Sequence, residues 1–247
     1  MIKFNVIASG SKGNASIITL DNGSSILIDQ GLSLKEFQKR CGSAGILVDS
    51  IKYIFVTHSH VDHIKSIASY PSDKIFSMYR TLPFYSYNRL DYFLEYEFEE
   101  FRVVPVKTSH DAPDPVGYVF YIGDEKLVYI TDTGMISKKT LKYLANADIY
   151  YFECNHDVDL LETSGRPEQL INRVKGKCGH LSNEQCFTYL NELVGENTKK
   201  VYLAHISEDC NNDDAIDLAK ERIISNNPYY KNIKFIKCRQ WEVTPNE

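Results

Sequence analysis

The sequence predicts an α/β (α+β) fold, a single layered domain of two similar halves, about residues 1–110 and 111–240. Three observations predict it. Short apolar, β-branched runs alternate with capped amphipathic segments along the chain. No linker rich in Pro, Gly or Ser divides the 247 residues. Histidine and aspartate recur singly just beyond the apolar runs, as they do at a sheet edge that carries a site.

The elements follow in order. Ile2 to Ala8 reads as a strand, and Ser16 to Leu20 pairs with Ser25 to Ile28 around the turn Asp21-Asn22-Gly23. Ser33 with Glu36 three residues on forms a capping box; Leu34, Phe37 and Cys41 give the helix an apolar face, and Gly42 can end it. Tyr53 to Val56 is a strand, followed by a polar loop and a short helix from about Ile64. The segment from Tyr70 to Phe101 carries no clear period, and its acidic run Glu95 to Glu100 reads as a solvated edge. Strands return at Phe101 to Val106, Gly117 to Ile122 and Leu127 to Thr131. Ser137 caps a helix to about Ala145, Ile149 to Phe152 is a strand, and Ser182 with Gln185 opens another capped helix. Val201 to Ala204, a helix from about Asp213 to Ser225 and a strand at Ile233 to Lys237 complete the pattern.

Composition sets the limits. A hydrophobic content of 43% supports a substantial core, and the net charge of −5 gives no global basic footprint for nucleic acid. The six cysteines include no CxxC pair and read as reduced thiols. The absence of a signal-like or long apolar run predicts a cytoplasmic protein with no membrane partner; no protein partner is legible.

The chemistry concentrates in Thr57-His58-Ser59-His60-Val61-Asp62-His63, directly after a strand. Imidazole and carboxylate without sulfur suit zinc and related ions in catalytic sites. His110, Asp132 and His205 each follow a later strand. His58, His60 and His110 would hold one divalent ion and Asp62, His63 and His205 another, with Asp132 between them, a pairing that generates hydroxide at neutral pH. Zinc is the default metal, and manganese the alternative. Asp29, at a strand end, reads as a carboxylate that orients a ligand, with an ordinary turn residue as the competing role. His180 lies two residues before the helix capped by Ser182, where it can protonate a leaving oxygen; ligation in place of His205 stays open. The loop Ser9, Gly10, Ser11, Lys12, Gly13, Asn14 is either an anion-binding nest or a tight turn. Asn155, His156 and Ser182 are further candidate substrate contacts, with turn formation and capping as their structural roles. Lys12, Lys65, Arg166, Lys175 and Lys177 are expected to flank the cleft.

This motif set, in this order from Ile2 to about Lys237, resembles the metallo-β-lactamase superfamily, which implies a four-layered αββα sandwich with metals at one edge. Ser9 to Asn14, Phe152-Glu153-Cys154-Asn155-His156-Asp157, Gly179-His180-Leu181-Ser182-Asn183 and Leu203-Ala204-His205-Ile206-Ser207 are similar to its WalJ (YycJ)-type branch. The last motifs are also similar to the tRNA 3′-end processing endonucleases. The resemblance implies a bacterial cytoplasmic nuclease acting on DNA, by 5′ to 3′ exonuclease action. Lys65-Ser66 departs from the glycine common after the metal loop, and the long arm of the tRNA enzymes has no counterpart. The expected reaction is attack on phosphorus by a metal-bridging hydroxide oriented by Asp62, with His180 as proton donor. The ligand types alone also admit a small ester, thioester or lactam substrate, or a noncatalytic binding protein.

Overall fold

The computed structural model describes residues 2–83 and 85–246. Its first sheet has the order β1 (Lys3–Ala8), β2 (Ala15–Thr19), β3 (Ser25–Ile28), β4 (Ile51–Phe55), β5 (Ile75–Met78), β6 (Asn88–Leu90). The second runs from β7 (Tyr96–Glu97) through β8 (Arg102–Lys107), β9 (Val116–Ile122), β10 (Glu125–Ile130), β11 (Ile149–Glu153) and β12 (Lys200–Ala204) to β13 (Lys234–Lys237). The sheets share a plan. β1 to β3 and β7 to β10 are antiparallel meanders, while β3 to β6 and β10 to β13 pair in parallel.

Parallel neighbours need crossovers, and helices supply several of them. α1 (Leu34–Ser43) links β3 to β4, α2 (Val61–Ile64) follows β4, and α3 (Lys138–Leu144) links β10 to β11. α4 (Val158–Glu162), α5 (Glu168–Lys175) and α6 (Asn183–Leu193) lie between β11 and β12, and α7 (Asp213–Ile224) precedes β13. In consequence β3, β4, β10, β11 and β12 end where the chain leaves for a crossover, the edge at which layered α/β sheets build sites.

Three apolar layers account for the αββα sandwich. Phe37 and Cys41 of α1 pack on Ile7, Ile17 and Ile54 of the first sheet. Cys186, Phe187 and Leu190 of α6, with Ile216 of α7, pack on Tyr150, Phe152 and Val201 of the second. Between the sheets lie Phe4, Ile26 and Phe55 from one side and Tyr118, Tyr129, Tyr151 and Tyr202 from the other. The period-two alternation is visible in β11, where Tyr150 and Phe152 face the helices while Ile149 and Tyr151 face the first sheet. Tyr129 and Tyr151 stack at 4.2 Å, and the Tyr202 ring meets Phe4 edge-on at 5.1 Å.

Several expectations are corrected. Gly42 is an interior helical residue; α1 runs on to Ser43, and Gly45, with φ of 69°, takes the left-handed turn after it. Only half of the first capping box forms, because Ser33 accepts from the Glu36 N–H while the Glu36 carboxylate turns to Arg40. The helix expected from Ile64 instead ends there and begins at Val61, so the metal motif itself forms its turn. The first sheet ends with β6 at Leu90 and the second begins with β7 at Tyr96. Glu95 to Glu100 does lie at an edge, around β7.

Candidate metal centre

Six strand ends converge. Asp29 follows β3, His58 to His63 follow β4, His110 follows β8, Asp132 lies two residues past β10, Glu153 ends β11 and His205 follows β12. Asp29, Asp132 and His205 have φ of 61°, 52° and 52°, the left-handed region that costs a non-glycine residue about 1–3 kcal/mol unless its surroundings enforce it. That three residues of one cluster share this conformation marks the edge as built for a purpose. Gly31 completes the frame: a Cβ there would lie 1.6 Å from the Asp62 carbonyl oxygen, so only glycine lets this turn press against α2.

The structure brings all seven expected ligands together. His58, His60 and His110 form one group whose ring nitrogens lie within 4.8 Å of one another, and Asp62, His63 and His205 form a second. Asp132 stands between them, 3.3 Å from His63 Nε2, 3.5 Å from His205 Nε2 and 3.8 Å from His110 Nε2. Among the described residues, His58 Nε2 and His205 Nε2 have no hydrogen-bond partner although buried, which a folded protein avoids unless another ligand completes them. Burial, helped by the charge of His63, holds His58 well below the ordinary imidazole range, in the neutral form that ligates. Burial opposes ionisation of Asp132, yet the imidazoles of His205 and His63 outweigh it and keep the carboxyl well below its usual range. An ionised buried carboxylate ringed by imidazoles fits divalent metal.

Supporting residues fix the rings. Asp29 Oδ2 accepts from His63 Nδ1 at 2.7 Å, and both Asp29 oxygens accept from Thr57. Glu153 was not singled out from the sequence as a site residue, although it ends a strand as Asp29 and Asp132 nearly do. It is fully buried and accepts from His180 Nδ1 at 2.7 Å, lies 3.3 Å from His205 Nδ1, and takes the Thr133 N–H at 2.8 Å. Burial pushes its carboxyl up, but the charge and hydrogen bond of His180, with that of His205, hold it at about 2. His180 is partly buried, stacked on His205 at 5.2 Å, and lies 3.7 Å from Asp132 through the same Nδ1 that Glu153 holds.

The expected substrate contacts divide differently. Of these residues only Ser11 and Lys12 are exposed; Ser9, Gly10, Gly13, Asn14, Asn155, His156 and Ser182 are buried. Ser9 Oγ accepts the His205 N–H at 2.8 Å, and Asn14 Nδ2 lies 2.9 Å from His63 Nε2. The N–H groups of Gly10, Lys12, Gly13 and Asn14 all have partners within the protein, so the loop is a brace rather than an open anion nest. Asn155 Nδ2 donates to the His205 carbonyl, and burial lowers His156 to about 4. Ser182 caps α6 in a complete capping box. These residues carry the frame. Three of the five expected cleft cations are neutralised: Lys12 by Glu208, Arg166 by Asp209 and Lys175 by Glu162.

No described helix is long and apolar enough to cross a membrane, and all six cysteines are unpaired. Residues 24–206 match the model of the Beta-lactamase superfamily domain. The chain is 32% identical over 228 residues to "Exodeoxyribonuclease YycJ" of Bacillus anthracis, covering 85% of this chain and 84% of the relative. It is 29% identical over 229 residues to "Exodeoxyribonuclease WalJ" of Streptococcus pneumoniae, covering 85% and 83%. The metallo-beta-lactamase fold protein YhfI of Bacillus subtilis superposes with a TM-score of 0.71 at 14% identity, over 98% of this chain and 99% of that one. Human tRNase Z, short form, superposes with a TM-score of 0.65 at 16% identity, over 99% of each. With the sandwich, the histidine-aspartate cluster and this match over most of its length, the chain belongs to the beta-lactamase superfamily, as a metal-dependent hydrolase of that fold.

Proposed function

We propose that the protein hydrolyses phosphodiester bonds of nucleic acid, as a 5′ to 3′ DNA exonuclease of the cytoplasm that works with two divalent ions, zinc or manganese. The observation that carries this reading is His180, held through Nδ1 by Glu153 at 2.7 Å beside the ligand cluster. Phosphodiester cleavage needs a proton for the departing sugar oxygen, and a partly buried imidazole anchored at one nitrogen can deliver one from the other. The names of the relatives, exodeoxyribonucleases both, support the substrate class.

His58, His60 and His110 would hold one ion, and Asp62, His63 and His205 the other, with Asp132 shared. When bound, such ions neutralise charge on the phosphate and lower the pKa of water. Glu153 accepts from His180 Nδ1, which fixes the tautomer and aims Nε2 at the leaving oxygen. Asp62, on the turn of α2 and less buried than Asp132, orients the attacking water, with Asn14 Nδ2 at 3.4 Å steadying its carboxylate. Ring orientation is maintained by Asp29 and Glu153.

The test compares the parent with His180→Ala on end-labelled single- and double-stranded DNA, with zinc or manganese. We expect a loss on the order of 10²–10⁴ in rate with metal content unchanged. Bis(p-nitrophenyl) phosphate, whose leaving group needs no proton, should lose far less. Loss of bound metal in the variant would make His180 a ligand instead. Hydrolysis of a thioester or lactam without any cleavage of nucleic acid would replace the substrate class.

A further inference from the structure

We propose that a groove beside His110 is the track along which a single nucleic-acid strand reaches the metal centre, an assignment that rests on the phosphodiesterase reading. Two hollows of about 310 and 240 Å³ adjoin through Lys107, Thr108 and Ser109. Arg80, Tyr92 and Cys178 also line the first, and Met135 and Ser137 the second. His110 forms the inner wall, with its ring 4.9 Å from His60 and 5.0 Å from His58, so the groove opens directly onto the ligands.

Charge separates this side from the other. Lys107 is exposed and makes no ion pair among the described residues; neither does Lys139, whose ammonium lies 3.9 Å from the Phe93 ring centre near the end of the second hollow. The hollow between Ile206 and Glu242 instead sets Glu208 and Glu242 beside Arg239, which is paired with Asp213, and Lys12 is tied to Glu208. A chain of net charge −5 attracts a polyanion only where cations outnumber nearby carboxylates, and in the groove the lining carboxylate Asp114 is taken up by Arg80, which leaves Lys107 and Lys139 without an ion pair among the described residues.

The aromatic residues specify the form of the strand. Tyr92 lines the first hollow, and Tyr79, next to Arg80, is 62% exposed with the Arg89 guanidinium 4.4 Å from its ring centre. Exposed ring faces interleaved with cations stack unpaired bases, whereas a duplex keeps its bases stacked on one another. Arg80, gripped by both Asp114 oxygens at 2.7 and 3.0 Å, is a fixed wall of the track and not its main source of charge.

Binding of a fluorescein-labelled phosphorothioate DNA strand of about 20 nucleotides to the zinc-loaded protein, followed by anisotropy across a salt series, tests the assignment. The double variant Lys107→Ala/Lys139→Ala should bind about tenfold more weakly near 0.1 M salt, and the slope of log affinity against log salt should flatten by about 1.4, at about 0.7 per phosphate. Lys12→Ala/Lys175→Ala should behave as the parent. The reverse pattern, with the second pair flattening the slope and the first leaving it unchanged, would overturn the groove while leaving the nuclease reading intact. A parent protein with no salt-dependent affinity for the strand would remove both.

Discussion

Asp29 in the first half and Glu153 in the second occupy equivalent places, each a fully buried carboxylate at the end of a parallel strand, yet they do different work. Asp29 serves one imidazole, His63, and takes its other bonds from Thr57; burial dominates and pushes its carboxyl up. Glu153 faces two imidazoles, His180 and His205, whose combined pull holds it at about 2 despite the same burial. One carboxylate therefore steadies a candidate ligand, while the other couples a candidate ligand to the proposed proton donor. The difference arises from what the neighbouring strand ends present, since a carboxylate in low dielectric takes its charge state from the groups pointed at it.

The largest test of this division removes the group between the halves. Asp132→Ala should lower the hydrolysis rate by about a thousandfold or more and reduce bound metal, measured by metal analysis alongside turnover, because Asp132 lies against His110 of one ligand group and against His63 and His205 of the other. Retention of full metal content would mean that the two ligand groups are independent. Next in size is the comparison itself. Glu153→Gln should lower turnover at saturating metal by about a hundredfold, whereas Asp29→Asn should weaken metal affinity by about tenfold and regain turnover once metal is raised. Equal behaviour of the two variants would erase the distinction.

The smallest effect is a control at the other end of the second sheet. Burial lowers Lys126 to about 8, with Asp148 opposing the shift. The folded chain thus sheds a proton that the unfolded chain still holds between about 8 and the ordinary lysine value of 10.5, so stability rises with pH through that window. Thermal melts of Lys126→Met across that window should rise less steeply with pH than those of the parent, with turnover unaffected. A change in turnover would show that the sheet transmits charge effects from this end to the site.

The amino-acid sequence alone determined the strand and helix alternation, the class of fold and the four clustered candidate ligands His58, His60, Asp62 and His63, because periodicity and a compact H-x-H-x-D-H run are local properties of the chain, while His110, Asp132 and His205 were legible only as single residues beyond strands. Ser137 and Ser182 were also legible as caps, since a cap acts within its own first turn. What only tertiary structure decided are relations between distant segments. Glu153 looks like any strand end until β11 and β12 pair and bring His205 beside it, and Asn14 is a turn residue until α2 folds against it. The same holds for charge: Lys12, Arg166 and Lys175 read as cleft cations in sequence, but Glu208, Asp209 and Glu162 reach them only in the folded chain, while Lys107 and Lys139, not singled out in the sequence, have no ion pair among the described residues. Burial and pairing depend on which residues meet across the fold, and no local pattern encodes that.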